Sequence, residues 1–266
     1  MGDPEVGSQA RIRRALPAAT GGVPRIIPYL MAGFPDLDSA GAMLLAAQGA
    51  GAALVELGLP YSDPLADGPV IQAAGQRALE NGMTVPLALA QIRAARAAGF
   101  GIPLVVMTYL NPLLRMGLGD FARQASESGV DGVLVTDLPL EEMGELRQAA
   151  ARFGLAVTTM VAPTTPDPRI RQAAALATGF LYCVSRTGVT GSSAGEEDEG
   201  PALLRRARAQ TDLPLALGFG VRRRDQVLAL AGLADAVAVG SLLVEMAGQA
   251  TDPAAAVAGA VSALRG

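Results

Sequence analysis

The chain has 266 residues, half of them hydrophobic, which is enough for a large core and fits either one α/β barrel or two smaller domains. Its net charge is −4 with no dense basic stripe, which argues against nucleic acid as a partner. It has no histidine, no lysine and no tryptophan, so all 21 basic residues are arginine.

These absences exclude whole classes of chemistry. Without lysine the chain forms no Schiff base with a carbonyl substrate and holds no pyridoxal phosphate covalently. Without histidine, and with the single cysteine Cys183, the usual zinc ligand sets are missing and no metal site is expected. Ser-His-Asp and Cys-His nucleophile systems are ruled out for the same reason. One cysteine makes no internal disulfide, which fits a reducing compartment and a cytoplasmic protein. No apolar run reaches transmembrane length, and the N-terminus lacks the apolar core of a signal peptide, so no membrane association is expected. Catalysis is left to carboxylates, tyrosines, hydroxyls, arginines and backbone N–H groups.

Residues 1–23 mix Gly, Pro, Arg and Ala without a clear period and read as an N-terminal arm, with a short helix near 11–16. From there, eight apolar strand-like runs recur, at 26–31, 53–57, 104–108, 132–136, 156–161, 180–184, 215–218 and 236–239. Stretches with helical spacing separate them, at 38–48, 70–82, 85–98, 119–128, 140–153, 168–176, 201–210 and 224–231, and a last helix is expected at 253–264. Near-continuous apolar strands, each followed by a helix, point to parallel strands covered on both faces. Gly99, Gly129 and Gly154 stand where helices should stop. Count and length suit a single (β/α)8 TIM barrel over 24–266. An open doubly wound sheet is the competing fold, and no Gly-x-Gly-x-x-Gly fingerprint occurs in the setting it requires.

In a barrel, chemistry gathers where strands end. Those ends carry Tyr29, Glu56, Tyr109 with Asn111, Asp137, Thr164, Tyr182, Gly218 to Gly220, and Gly240 with Ser241. Glu56 is a carboxylate in an apolar strand, where desolvation raises a pKa; a structural, hydrogen-bonded role is the alternative. Asp67 and Asp63 follow in a proline-rich loop, where each also fits an ordinary turn. Two acids in unlike surroundings are what acid–base chemistry near neutrality requires. The joints at Gly220 and at Gly240-Ser241 offer open backbone N–H groups at helix starts after strands seven and eight, a common place for phosphate. The loops at 60–69 and 186–200 are long enough to act as lids. The acidic run 196–199 reads as a solvated tip or helix start, and the arginines at 222–224 as a solvated helix start, with a phosphate contact as the alternative.

Four segments together resemble the tryptophan synthase α-subunit family. They are Pro28-Tyr-Leu-Met-Ala-Gly-Phe-Pro35, Glu56-Leu-Gly-Leu-Pro-Tyr-Ser-Asp-Pro-Leu-Ala-Asp-Gly-Pro69, Ser185-Arg-Thr-Gly-Val-Thr-Gly191 and Gly218-Phe-Gly220. The resemblance implies a TIM barrel that cleaves indole-3-glycerol phosphate to indole and glyceraldehyde 3-phosphate. It also implies an α2β2 heterotetramer with a β subunit that alone carries pyridoxal phosphate. It places the catalytic groups on Glu56 and Asp67, with Tyr182 beside them. Thr190 matches a lid threonine that contacts the aspartate, Gly191, Gly220, Gly240 and Ser241 match phosphate-binding positions with Phe219 in the same segment, and Asp63 and Pro64 face the β subunit; Tyr109, from its strand end, is expected to be a further substrate contact. The inventory is compatible with this chemistry: protonating indole C3 turns the ring into its own electron sink, so neither lysine nor metal is needed. A stand-alone lyase and a non-catalytic activating subunit are the competing readings.

Overall fold

The computed structural model describes residues 7–17, 22–184, 199–218 and 220–266. Eight parallel strands close into a barrel in sequence order. They are β1 (Arg25–Met31), β2 (Val55–Gly58), β3 (Leu104–Thr108), β4 (Gly132–Val135), β5 (Ala156–Val161), β6 (Leu181–Val184), β7 (Leu215–Gly218) and β8 (Ala236–Val239). Closure is carried by β8 pairing with β1, with Ile26 opposite Val237 and Pro28 opposite Val239.

The helices, in chain order, are α1 (Ser8–Ala15), α2 (Ser39–Gly49), α3 (Pro69–Glu80), α4 (Val85–Ala97), α5 (Leu110–Met116), α6 (Leu118–Glu127), α7 (Gly144–Arg152), α8 (Asp167–Leu176), α9 (Glu199–Arg208), α10 (Arg224–Leu228), α11 (Ser241–Gln249) and α12 (Pro253–Arg265). A short 3-10 turn, Leu140–Glu142, takes the front of the helix expected over 140–153. All eight strands and nine helical stretches expected from the sequence are present. Two further helices, α5 and α11, were not anticipated, because Asn111-Pro112 and Gly240-Ser241 read locally as loops. Gly99, Gly129 and Gly154 follow helix ends at positive φ, which an L side chain rarely adopts.

The strands are buried along almost their whole length, as expected for strands with barrel interior on one side and helices on the other. At their N-terminal ends two strand pairs use the same clamp. Asp131, just before β4, accepts a hydrogen bond from the Leu104 N–H at 2.9 Å and pairs with Arg96 of α4 at 2.9 Å. Asp235, just before β8, accepts from the Leu215 N–H at 2.7 Å and pairs with Arg208 of α9. Each buried carboxylate is thus charge-paired and hydrogen-bonded, the condition under which burial is tolerated. Helix α1 packs against this end: Ile12 and Leu16 are fully buried, and Arg11 pairs with Asp131 at 2.7 Å and donates to the Gly101 carbonyl. With that end occupied by α1, the opening left to a substrate is the C-terminal one.

Candidate active site

The site is built on two strand ends that face each other through aromatic rings. Glu56 in β2 lies opposite Tyr29 of β1 in register. Tyr29 fits into the barrel because its other neighbour is Gly58; a Cβ there would come 2.0 Å from the Tyr29 hydroxyl oxygen. The same arrangement recurs across the barrel, where Tyr182 of β6 lies against Gly218 of β7, and a Cβ at Gly218 would come 2.2 Å from the Tyr182 hydroxyl oxygen. Both contacts require glycine because no other residue leaves that space.

Glu56 has no exposed surface, and neither carboxyl oxygen has a hydrogen-bond partner. Burial alone pushes its pKa up to about 8, so the carboxyl carries its proton at neutral pH. Asp67 sits on the loop that leads into α3. Burial raises its pKa to about 6, and a hydrogen bond with Tyr109 acts in the opposite sense. The Tyr109 hydroxyl, at the end of β3, also accepts from the Ala66 N–H at 3.0 Å. Its ring lies 5.1 Å from that of Tyr61, whose hydroxyl accepts from Asn111 at 3.3 Å. From the α3 side, Gln72 donates to the Asp67 carbonyl at 2.8 Å. The loop is therefore held at both ends. Burial, and then the charges of Asp67 and Glu56, push the Tyr29 hydroxyl well above its ordinary pKa; burial, then Glu56, do the same to Tyr182. Both tyrosines stay protonated, and both sense both acids.

A cavity of about 590 Å³ opens at the C-terminal end of the barrel, lined by Tyr29, Asp67, Tyr182, Gly220, Gly240 and Ser241 among others. That volume suits a small organic substrate. Ser241 begins α11, and the first intrahelical bond runs from the Val244 N–H to the Gly240 carbonyl, so the N–H groups of 241–243 have no acceptor within the helix. Gly220 holds φ of +90°. The two glycine joints and Asp67 therefore share one chamber. Glu56 is not on its wall but behind it, next to the two tyrosines.

Tyr109, expected as a substrate contact from its strand end, stands behind Asp67 rather than on the wall. Asp63 is exposed and accepts from the Ser62 hydroxyl, and Pro64 lies in the same outer stretch of the loop. Asp137 accepts from the Leu110 N–H at 2.8 Å, tying the ends of β3 and β4. Thr190, Gly191 and Phe219, with most of the loop at 186–200, lie outside the described residues. Tyr29 belongs to the site although only its place at a strand end marked it. Arg222 and Glu245 also reach the wall, so Arg222 is not only part of a solvated helix start.

The sequence model described as tryptophan synthase alpha chain matches residues 19–265. The chain belongs to the tryptophan synthase α chain family. It is 46% identical over 221 residues to the tryptophan synthase alpha chain of Carboxydothermus hydrogenoformans, covering 83% of this chain and 82% of that one. Among solved structures, a chain of the tryptophan synthase α2β2 complex from Pyrococcus furiosus matches with a TM-score of 0.84 at 37% identity, covering 92% of this chain and 99% of that one. A chain of Mycobacterium tuberculosis tryptophan synthase matches with a TM-score of 0.86 at 34% identity, covering 96% of each. Membership of the tryptophan synthase α chain family makes this chain a lyase of tryptophan biosynthesis that cleaves indole-3-glycerol phosphate. Among the described residues, no helix is long and apolar enough to cross a membrane.

Proposed function

We propose that Glu56 and Asp67 are the acid–base pair that cleaves indole-3-glycerol phosphate. The observation that carries this is their difference: one carboxyl at about 8 and one at about 6, both acting on the same two tyrosines in the wall of one cavity. Near pH 7 the first is a proton donor and the second an anion, which is the division of labour acid–base catalysis needs. Glu56, turning from behind the wall into the cavity when substrate binds, delivers its proton to indole C3, and Asp67 accepts the hydrogen bond and then the proton of the ring N–H. The now ionised Glu56 takes the proton of the hydroxyl on the carbon bonded to C3. That carbon becomes the aldehyde, the broken C–C pair returns to the ring, and the ring nitrogen recovers its proton from Asp67. Protons and electrons balance, and both acids end as they began.

Tyr182 and Tyr29 flank the ring and keep water from the pair. Gly220, Gly240 and Ser241 hold the phosphate through backbone N–H groups and the α11 dipole; by resemblance, Gly191 and Phe219 belong with this rim and Thr190 contacts Asp67. Residues 24–266 form the catalytic unit and 1–23 an arm. The protein works in the cytoplasm without a cofactor of its own, in an α2β2 heterotetramer whose β subunit holds pyridoxal phosphate. The outer part of the Asp67 loop, with Asp63, Pro64 and an almost fully exposed Leu65, faces that subunit.

Indole release by Glu56→Gln and Asp67→Asn tests the pair. Each substitution keeps shape and removes proton transfer, and each is expected to lower kcat by on the order of 10³-fold or more. Turnover at the parent rate by either variant refutes the assignment.

A further inference from the structure

A phosphate monoester near neutral pH carries close to two negative charges, yet the side chains on the cavity wall are unfavourable to it. Two of them are carboxylates, Asp67 and Glu245, and among the described residues one is cationic, Arg222. Arg222 directly follows Gly220-Val221, and Glu245 lies one turn into α11 from Ser241, so the pair spans the two joints assigned above to phosphate. Both Nη atoms of Arg222 point to the Glu245 carboxylate, a two-point ion pair. The Arg222 backbone is fixed separately, its N–H donating to Gln226 at 2.8 Å. Its neighbours face elsewhere: Arg223 pairs with Asp225, and Arg224 lies at the C-terminal residue Gly266.

We propose that Arg222 binds the phosphate of the substrate and that Glu245 restrains it. The proposal rests on the lyase reading and adds a charged contact to its backbone cradle. Guanidinium carries five N–H donors in a fixed fork, so it serves a carboxylate and a phosphate oxygen at once. Glu245 holds the fork over the rim before substrate arrives. Its own charge opposes the dianion and keeps affinity moderate, so that the phosphorylated product leaves. A simple strap between the β7 joint and α11 predicts something different, because a strap is broken equally from either end.

The test is the sign of the effect at the two ends, measured on the full chain by calorimetric titration with inorganic phosphate. Arg222→Ala is expected to weaken phosphate binding by about tenfold and to raise KM for indole-3-glycerol phosphate similarly, with kcat within about twofold. Arg222→Lys is expected to recover part of the loss, since it restores charge without the fork. Glu245→Gln is expected to tighten phosphate binding by about threefold. Effects of the same sign at both positions, or no effect at either, overturn the proposal. A parent protein that shows this pattern with phosphate but releases no indole keeps this inference and loses the lyase reading.

Discussion

Glu56 is costly to the fold. Its carboxyl ionises at about 4.5 in the unfolded chain and at about 8 in the barrel, where burial disfavours the charge. Between those values the unfolded chain has released a proton that the folded one retains, so stability falls as pH rises through this window. The penalty is absent below about 4 and complete above about 8. Glu56→Gln imitates the protonated carboxyl and removes the penalty. The variant should match the parent in urea unfolding at pH 4 and exceed it at pH 8.5 by on the order of 3–5 kcal/mol. Such a gain, bought with activity, is the usual signature of a catalytic group. The same two pKa values set the pH–rate profile. In the proposed mechanism Asp67 acts ionised and Glu56 protonated, so kcat/KM should rise through about 6 and fall through about 8. Tyr109→Phe deletes the hydrogen bond that lowers the Asp67 pKa, so its acid limb should move to higher pH while the basic limb stays. An unmoved acid limb would show that Tyr109 does not set Asp67.

At the scale of elements, the barrel was legible because each strand is a short apolar run closed by a turn residue, and each run stands between stretches of helical spacing. The strand ends alone therefore point to Glu56, Tyr182 and the glycine joints. What did not show was anything that depends on register or on distant partners. Tyr29 becomes a site residue only because it pairs with Glu56 and fits against Gly58, and neither relation is visible in the local sequence. Tyr109 sits at a strand end and resembles a substrate contact, but its hydroxyl is taken up by the loop from β2. Arg222 in a run of three arginines looks like any solvated helix start, and only the position of Glu245 some twenty residues on turns it toward the cavity. Helix α1 is the same lesson at larger size. Ile12 and Leu16 are spaced to share a helix face, but in an arm without clear period nothing says that this face meets the barrel. Removing residues 1–16 deletes both buried side chains, uncovers the barrel end they pack against and breaks the Arg11–Asp131 pair. The truncated chain should lose on the order of 3–6 kcal/mol in urea unfolding, with pocket residues untouched. Stability equal to the parent would mean that α1 does not close the barrel.

For the molecule as a whole, the two ends of the barrel have separate duties. The N-terminal end is clamped by Asp131 and Asp235 and covered by α1, and the C-terminal end holds the acids, the glycine joints and the exposed loop. Leu65 is 94% exposed at the tip of that loop and also touches the cavity, so the surface assigned to the β subunit is continuous with the surface that binds substrate. Leu65→Arg should weaken association with a β subunit by about tenfold or more in titration calorimetry while the isolated chain keeps its unfolding midpoint. Undiminished association would remove this loop from the interface. The proposed chemistry turns on the protonation of Glu56, and infrared difference spectroscopy of the parent against Glu56→Gln reads it directly. The expected result is a protonated-carboxyl band at pH 7 that fades as pH rises through about 8. An ionised-carboxylate band at pH 7 in its place would leave the reaction without its acid.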